Sequence, residues 1–460
     1  MVVLKFLSPS WDNPIWSTPS KIRQLAQRFP TPLRRAVLLA GWLVTPHRIP
    51  ARLRIRNQHR RSGVQAWLTN AHSARTPFSL GDLIAPSPQI APLSVFSIGR
   101  GLRPRILMVT DSLAPSSFFG GVGTATLFAA QLANQRGAGL GLVTLAEDPY
   151  GSNLKEFFDL HCVQPPPHVE FRRVSLKEAD RPLDVGSEDL FVTTSWWSTR
   201  RILGSIAANR IIYVLQEDER MFYPAGDEQL QAQETMSEPG LRVLVNSRLL
   251  YDHMINTGCP FLRERGTWFE PAFPQRIYFF EPGDRSPLNF FFYARPNNAR
   301  NLFSRGIAAI NKAFTTGILR PKDWRFHFVG KDLRPLKIAG GSLIETAQRL
   351  SWNHYAALIR RMDLGLSLMH TPHPSYPPLD LAASGAVAVT NAFASKTSLS
   401  AYSENIICAD LSVDGLVEGL AKGAELARNS ELRLKNYHTQ GLSRSWEESF
   451  APPLSWLDGA

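Results

Sequence analysis

The sequence is poor in cysteine and has no long hydrophobic segment. Its three cysteines, Cys162, Cys259 and Cys408, are far apart, odd in number and outside any C-x-x-C spacing. This pattern argues against disulfides and a structural zinc site, and it favours a reducing compartment. The apolar run at residues 36–44 is too short to cross a bilayer, which takes about 20 residues, and no small-residue cleavage site of a secretory signal follows it.

Acidic residues are almost absent from the first 66 positions. Residues 1–66 contain twelve Lys or Arg residues against the single Asp12, whereas the rest of the chain is nearly neutral. With Trp42 in its apolar run, this leader suits an anionic membrane surface or a lipid-linked substrate. A merely solvated extension and nucleic acid are the alternatives, and no aromatic-interleaved motif supports nucleic acid. We therefore expect a cytoplasmic protein, at the inner face of the cell membrane if the leader binds lipid.

The chain length of 460 residues allows two or three domains, and an apolar content of 44% suits a globular protein. Strands and helices alternate from Arg105 onwards, which predicts an α/β fold with parallel sheets. A Phe-, Pro- and Gly-rich stretch at 271–287 predicts a hinge before a second alternation. We predict a basic extension and irregular linker (1–103), two Rossmann-like doubly wound domains (104–280 and 281–435) and a tail packing back on the body (436–460).

Chemistry is concentrated in residues 362–391, which have the pattern of strand, turn, helix and strand. The apolar run 364–369 predicts a buried parallel strand whose carboxyl end is a ligand-binding edge. The Pro-rich loop 370–378 that follows predicts a stiff site with the polar side chains of His373, Ser375 and Tyr376. His370 and His373 have no acidic or Cys partner at ligand spacing, so we predict no metal there and no cofactor elsewhere.

A helix over 377–384 follows this loop. Pro377 and Pro378 fit its first turn, where a missing N–H group costs little. The backbone donors of Leu379 and Asp380, together with the positive end of the helix, would favour a phosphate.

Two other loops bring cations and glycines to strand ends. The segment DSLAPSSFFGGVGT lets the backbone approach a ligand at Gly121, although it matches no Walker motif and a plain tight turn explains it equally well. In YARPNNARN, Arg295 and Arg300 precede a predicted helix, and Lys331 follows the next strand. All three cations would face one crevice, where they could stabilise a departing diphosphate; surface arginines are the alternative.

Acidic and aromatic residues end two strands of the first domain. QEDERMFYPAG has three successive carboxylates, Glu217, Asp218 and Glu219. One of them could orient an acceptor hydroxyl or act as a base, and a solvated acidic loop is equally compatible. Trp196 and Trp197, with Tyr223, are candidates for stacking on an acceptor sugar, although core packing is the safer interpretation of the two tryptophans.

Taken together, the segments FFGGVGT, SWW, YVLQEDERMFYPAG, VLVNS, FYARPNNARN and SLMHTPHPSYPPLDLAASGAVAVTN resemble GT-B glycosyltransferases of the retaining, sucrose-synthase-like superfamily. Their closest resemblance is to WsaF-like rhamnosyltransferases of surface-glycan assembly. The resemblance covers residues 105–427. It implies a metal-independent enzyme that holds a nucleotide sugar in its C-terminal domain and an acceptor in its N-terminal domain.

The resemblance also assigns single residues. Arg295 matches the arginine of a diphosphate-binding pair, whose lysine is replaced by Arg300. Of two glutamates eight positions apart, Asp380 occupies the second place, which contacts the donor ribose, and Pro372 occupies the first. His373, Ser375 and Tyr376 match positions beside the donor sugar and phosphates.

The implied reaction is transfer of L-rhamnose from dTDP-L-rhamnose to a glycan or lipid-linked acceptor with retention of the anomeric configuration. Arg295, Arg300 and Asp218 are the catalytic candidates, and the leaving phosphate could itself take the acceptor proton. Two alternatives stay open: a non-catalytic sugar-nucleotide or glycan-binding scaffold, suggested by Pro372, and a nucleotide-sugar 2-epimerase of the same architecture. The epimerase would need acid and base carboxylates that the loop 369–378 lacks.

Overall fold

A computed structural model describes residues 87, 89–99, 103–114, 120–149, 151, 154–174, 182–283, 285–337, 344–348 and 350–459. The elements and contacts below lie within Pro88–Ala460, which forms one compact unit. The basic leader at 1–66, with its predicted membrane contact, lies outside the described residues.

The first half of this unit is built on a seven-stranded parallel sheet of order β4-β3-β2-β6-β7-β8-β9. Its elements, together with the separate parallel pair β1 and β5, are β1 Val95–Ser97, β2 Arg105–Thr110, α1 Gly121–Gln135, β3 Gly139–Thr144, α2 Leu154–His161, β4 Val169–Arg173, β5 Leu183–Val185, β6 Leu190–Thr193, α3 Trp196–Leu203, β7 Ile211–Leu215, α4 Asp227–Met236, β8 Arg242–Asn246, α5 Arg248–Asn256, α6 Leu262–Arg265 and β9 Gly266–Phe269. Short 3₁₀ helices cover Ala208–Arg210 and Glu219–Phe222. Within the extension and linker predicted at 1–103, the described residues include the strand β1.

The second half is a six-stranded parallel sheet of order β12-β11-β10-β13-β14-β15. Its elements are β10 Leu288–Ala294, α7 Phe303–Thr315, β11 Trp324–Gly330, β12 Glu345–Gln348, α8 Trp352–Arg360, β13 Leu364–Leu366, α9 Tyr376–Ala383, β14 Val387–Asn391, β15 Ile406–Ala409, α10 Val413–Arg428, α11 Ser430–His438 and α12 Trp446–Gly459. A 3₁₀ helix, Ala299–Asn301, precedes α7. The predicted α/β class with two doubly wound sheets is confirmed.

Continuous apolar runs form the central strands of both sheets, because helices cover both faces of a parallel sheet. In β10 the side chains of Phe290, Phe291 and Phe292 are all fully buried although they point alternately to opposite faces. The last helix, α12, packs on the first sheet. The ring of Phe450 lies 5.4 Å from that of Phe128 and 5.0 Å from that of Phe269.

Local sequence sets the starts of two helices near the site. Helix α3 begins at Trp196 because Ser195 and Ser198 form a capping box. Helix α9 begins at Tyr376, one residue before the predicted start, with the two prolines in its first turn. The strand predicted at 364–369 ends at Leu366, which leaves 367–375 as a nine-residue loop at the sheet edge.

The order of strands places the candidate loops together. In the second sheet, the chain direction across the sheet reverses between β10 and β13, and ligands of doubly wound sheets bind at such switch points. Arg295 follows β10, Lys331 follows β11 on one side, and the loop 367–375 follows β13 on the other.

Candidate active site

A cavity of about 570 Å³ lies between the two sheets and receives residues from both. The predicted site residues that line it are Gly121, Glu217, Arg295, Lys331, His373, Ser375, Tyr376 and Asp380. The predicted residues that do not line it are Arg300, Asp218, Leu379, Trp196, Trp197 and Tyr223. Eight of the fourteen predicted positions thus meet in one space, and most of the eight are residues predicted to bind the donor.

One wall of this cavity is cationic. Arg295 is half-buried, with its Nη1 atom 3.4 Å from the hydroxyl of Tyr293, and Lys331 lies at the end of the neighbouring strand. Within the described ranges, neither cation has a carboxylate within 4 Å. Gly330 allows the two strand ends to approach, because a Cβ atom there would lie 1.8 Å from the carbonyl oxygen of Ala294. Two unneutralised cations beside a cavity favour an anionic ligand.

The loop residue His373 is fixed as a neutral hydrogen-bond donor. The backbone N–H of Ser375 donates to its Nδ1 atom at 2.9 Å, so the ring proton is on Nε2. Nε2 has no protein partner in the part of the chain described. Burial, reinforced by the charge of Lys396, lowers the pKa of His373 to about 3. Ser375 holds this arrangement with a φ of 69°, a left-handed conformation that is strained for a non-glycine residue.

Tyr376 begins α9 and reaches across the cavity to the first sheet. Its hydroxyl lies 2.5 Å from Oγ1 of Thr124 and accepts a hydrogen bond of 2.9 Å from Asn246. Its ring packs over Gly120, where a Cβ atom would lie 3.7 Å away. The side chain thus links the two sheets. Leu379 is the fourth residue of α9, its side chain is fully buried and it does not line the cavity, so the phosphate contact of its N–H group stays a prediction.

Asp380 is buried beside the hydroxyls of Tyr355 and Tyr278. Its Oδ2 atom accepts a hydrogen bond of 2.8 Å from the hydroxyl of Tyr355, while Oδ1 is buried without a hydrogen-bond partner among the described residues. Burial raises the pKa of Asp380 to about 7, although the hydroxyls of Tyr355 and Tyr278 oppose the rise. A donor hydroxyl from a ligand would satisfy Oδ1.

Arg300 and Glu217 form a bridge between the sheets. Nη1 of Arg300 lies 3.2 Å from Oε2 of Glu217, and its guanidinium stacks 4.1 Å from the ring centroid of Phe222. Thr371 also donates to Glu217 at 2.6 Å. Burial raises the pKa of Glu217, and Arg300 is the main group opposing that rise. The structure therefore places Arg300 on a carboxylate of the first sheet, apart from the cationic wall where we predicted it.

The carboxylate of Asp218 is occupied by an internal ion pair. Arg220 contacts it at 2.7 Å and His253 at 3.7 Å, and it caps the 3₁₀ helix Glu219–Phe222. Burial would raise the pKa of Asp218, but hydrogen bonds from His253 and Arg220 lower it. Its geometry is that of a structural ion pair, so the predicted role as a base has no support from its position.

The predicted acceptor aromatics form a cluster beside the first sheet. Nε1 of Trp196 donates to the hydroxyl of Tyr223 at 3.1 Å, and Nε1 of Trp197 donates to Asp111 at 2.9 Å. Trp196 is buried, whereas Trp197 is half-buried. Beneath them, Glu219 accepts hydrogen bonds from the N–H of Trp196 at 2.6 Å and from the hydroxyl of Tyr213 at 2.7 Å.

Substitution of Glu219 tests this buried support. Burial raises the pKa of Glu219 to about 8 from an ordinary value of 4.5. The native state therefore keeps its proton while the unfolded state loses it, so stability falls as the pH rises from about 4.5 to 8. We expect Glu219→Gln to have a smaller fall in Tm than the wild type between pH 5.5 and 7.5. Parallel slopes for the two proteins in thermal unfolding would contradict the assignment.

Sequence reasoning missed several residues of the cavity. Tyr278, Tyr293, Trp352 and Tyr355 line it beside Asp380 and the cations. Tyr293 could have been found because it lies near the end of β10. Trp352 and Tyr355 could have been found because they lie in the first turns of α8. Lys396, which contacts the loop from behind, had no local signal.

The described residues contain neither a candidate metal cluster nor a candidate membrane-spanning helix. No cluster of three or more His, Cys, Asp or Glu side chains among them could hold a metal ion. Every helix that the structure describes is too short or too polar to traverse a bilayer.

Comparison with protein families gives two matches that together cover more than half of the chain. Residues 105–248 match the family described as WsaF, N-terminal domain, and residues 288–421 match WsaF, C-terminal domain. The O-antigen biosynthesis protein RfbC of Myxococcus xanthus is 32% identical over 274 residues, or 58% of this chain. The match covers 21% of RfbC, so this chain spans only about a fifth of that relative.

Similar solved structures share the architecture at low sequence identity. Sucrose-phosphate synthase of Thermosynechococcus elongatus has a TM-score of 0.51 at 11% identity, covering 78% of this chain and 98% of that one. Anabaena HepE in complex with UDP-glucose has 0.52 at 12%, covering 77% and 97%. WaaG, a glycosyltransferase involved in lipopolysaccharide biosynthesis, has 0.50 at 14%, covering 77% and 100%. The chain therefore belongs to the WsaF family and has the GT-B fold of glycosyltransferases.

Proposed function

We propose that the chain is a glycosyltransferase that transfers L-rhamnose from dTDP-L-rhamnose to a glycan or lipid-linked acceptor during assembly of a surface polysaccharide. Membership of the WsaF family and similarity to an O-antigen biosynthesis protein support the reaction class and pathway. The observation that carries the proposal is the cavity wall with Arg295 and Lys331, whose charges fit the diphosphate of a sugar nucleotide.

The shape of the cavity suits the rest of such a donor. Beside the cationic wall it is lined by the rings of Tyr293, Trp352 and Tyr355, which are appropriate for packing against a base and a pentose. Asp380 lies next to Tyr355, and its Oδ1 atom can accept a hydrogen bond from a hydroxyl of that pentose.

In the proposed reaction, the bond between the anomeric carbon and the diphosphate oxygen breaks while the acceptor oxygen bonds to that carbon. Arg295 and Lys331 stabilise the charge of the departing diphosphate, and Nε2–H of His373 can donate a further hydrogen bond to the donor. The acceptor proton passes to the departing phosphate. The anomeric configuration is retained, and no metal takes part.

Both carboxylates that line the cavity already have hydrogen-bond partners, so transfer of the acceptor proton to the departing phosphate is the simplest path. Glu217 is held by Arg300 and Thr371, and Asp380 by Tyr355. The non-catalytic alternative rests on Pro372, which stands where related enzymes have a glutamate. We further propose a cytoplasmic location with the leader 1–66 on an anionic membrane surface, a contact that falls outside the described residues.

The proposal is tested by thermal shift with dTDP-L-rhamnose, dTDP, UDP-glucose and GDP-mannose, followed by turnover of labelled dTDP-L-rhamnose. We expect the two dTDP ligands to raise Tm most, because a ligand that binds only the native state stabilises it. Product should form only with an acceptor, which distinguishes transfer from epimerisation. Binding without any product would favour the scaffold, and no shift with any nucleotide sugar would refute the donor site.

A further inference from the structure

Lys396 is a fully buried lysine outside the cavity lining. It lies in the connection between β14 and β15, where its backbone N–H and carbonyl pair with those of Phe393. These two bonds fix the turn that carries its side chain. From there its Nζ atom reaches the backbone carbonyl of His373 at 3.3 Å.

The ammonium of Lys396 forms no contact ion pair with a described residue, and the charge of Glu217 acts on it only from beyond 4 Å. An ammonium has three N–H donors, and the His373 carbonyl is the one acceptor that it contacts within those residues. No described carboxylate lies within 4 Å of it. Burial lowers the pKa of Lys396 to about 8, although Cys408 and Glu217 oppose this fall. A buried cation without a partner is costly, so its presence indicates a negative charge supplied from elsewhere.

A diphosphate would lie in the cavity, on the side of His373 opposite to Lys396. The His373 backbone separates Lys396 from the His373 and Ser375 side chains that line the cavity. Three bonds hold His373: its N–H to Thr371, its carbonyl from Lys396, and its Nδ1 from the Ser375 N–H. Its Nε2–H is thereby left to meet a ligand. Lys396 therefore both orients this donor and places a positive charge behind it.

We propose that Lys396 is a positioning residue for the donor diphosphate, whose negative charge is the counterion that this buried ammonium lacks. The inference rests on the proposed nucleotide-sugar site and adds a third cation to it, behind the loop rather than on the cavity wall. In a poorly hydrated site such a charge acts through one residue with little screening. The contribution of Lys396 to binding should therefore grow with the negative charge of the ligand.

The test measures binding of thymidine, dTMP and dTDP by calorimetry to the wild type and to Lys396→Met, which keeps the aliphatic stem. We expect dTDP to bind at least about tenfold more weakly to the variant, dTMP to lose less, and thymidine to change less than about twofold. Without ligand, Lys396→Met should have an equal or higher Tm than the wild type, because an uncompensated buried charge has been removed.

Three further variants define the outcome. Lys396→Arg should restore part of the dependence on ligand charge, Lys396→Gln repeats the loss with a polar side chain, and the exposed Lys422→Met should leave all three affinities unchanged. Equal losses for thymidine and dTDP, or a dTDP affinity unchanged in Lys396→Met, would overturn the role of Lys396. Failure of wild-type protein to bind dTDP would instead refute the nucleotide-sugar site itself.

Discussion

Replacing Arg295 by Ala is expected to lower kcat/KM for dTDP-L-rhamnose by about 10²- to 10³-fold. Its guanidinium lies on the cavity wall at the end of β10, without an ion-pair partner among the described residues. In the proposed reaction it meets the charge that develops on the departing diphosphate, so kcat should fall as well as donor affinity. Steady-state turnover of labelled donor measures both.

Two variants serve as controls for this expected loss. Arg295→Lys keeps the charge but lacks the planar fork, and it should recover only part of the rate. Arg305→Ala removes an exposed arginine of α7 whose guanidinium bonds the carbonyl of Leu411, and it should behave as the wild type. A loss of threefold or less in Arg295→Ala would contradict the assignment of the cationic wall to the diphosphate.

The comparison of Arg295 with Arg300 shows where sequence reasoning reached its limit. Both arginines occur in one short loop, and spacing alone suggested the same ligand for both. The structure directs Arg300 to Glu217 and Phe222 of the other sheet. No local pattern encodes that choice, because it depends on how the two halves of the chain meet.

The fold was predictable where burial leaves a clear pattern. Central strands such as β10 and β14 are continuous apolar runs, because helices cover both of their faces. The edge strands β4 and β12 were missed. Their sequences, VEFRR and ETAQ, are polar and only partly buried, so they lack that pattern. The loop around His373 was predicted from the strand, turn and helix pattern of residues 362–391.

Contacts across the cavity could not be predicted. Tyr376 meets Thr124 at a separation of 252 residues and Asn246 at 130. The proposed role of Lys396 likewise depends on the burial of its ammonium behind His373. These are properties of tertiary packing, and a single sequence contains no period or motif that reports them.

The second large effect is expected at Asp380, the proposed partner of the donor pentose. Oδ2 accepts a hydrogen bond from Tyr355, and the buried Oδ1 has no hydrogen-bond partner among the described residues, so a pentose hydroxyl can donate to it. UDP and dUDP share a base and differ only in the 2′-hydroxyl, so comparing them locates the hydroxyl that makes this contact. The pentose of a dTDP donor has only the 3′-hydroxyl, so we expect dUDP to bind within about threefold of UDP.

Asp380→Asn should weaken both nucleotides by about 10- to 100-fold, since a hydrogen bond to a charged group contributes about 1.5–3 kcal/mol. Tyr355→Phe should weaken both nucleotides less, by about fivefold or less, because it removes the hydroxyl that orients Asp380 and keeps the carboxylate. The matched control is Tyr402→Phe, which removes a tyrosine hydroxyl that donates to the carboxylate of Glu270 at 2.7 Å, away from the cavity lining.

Calorimetric titration of both nucleotides against these variants separates a pentose contact from a general effect of tyrosine removal. A loss of affinity in Tyr355→Phe that is absent in Tyr402→Phe would support a pentose contact of Asp380 that Tyr355 orients. The pH dependence adds a second criterion. Because the pKa of Asp380 is raised to about 7, its carboxylate forms as the pH rises through that value, and dUDP affinity should rise with it in the wild type but not in Asp380→Asn. An unchanged nucleotide affinity in Asp380→Asn would place the pentose away from Asp380.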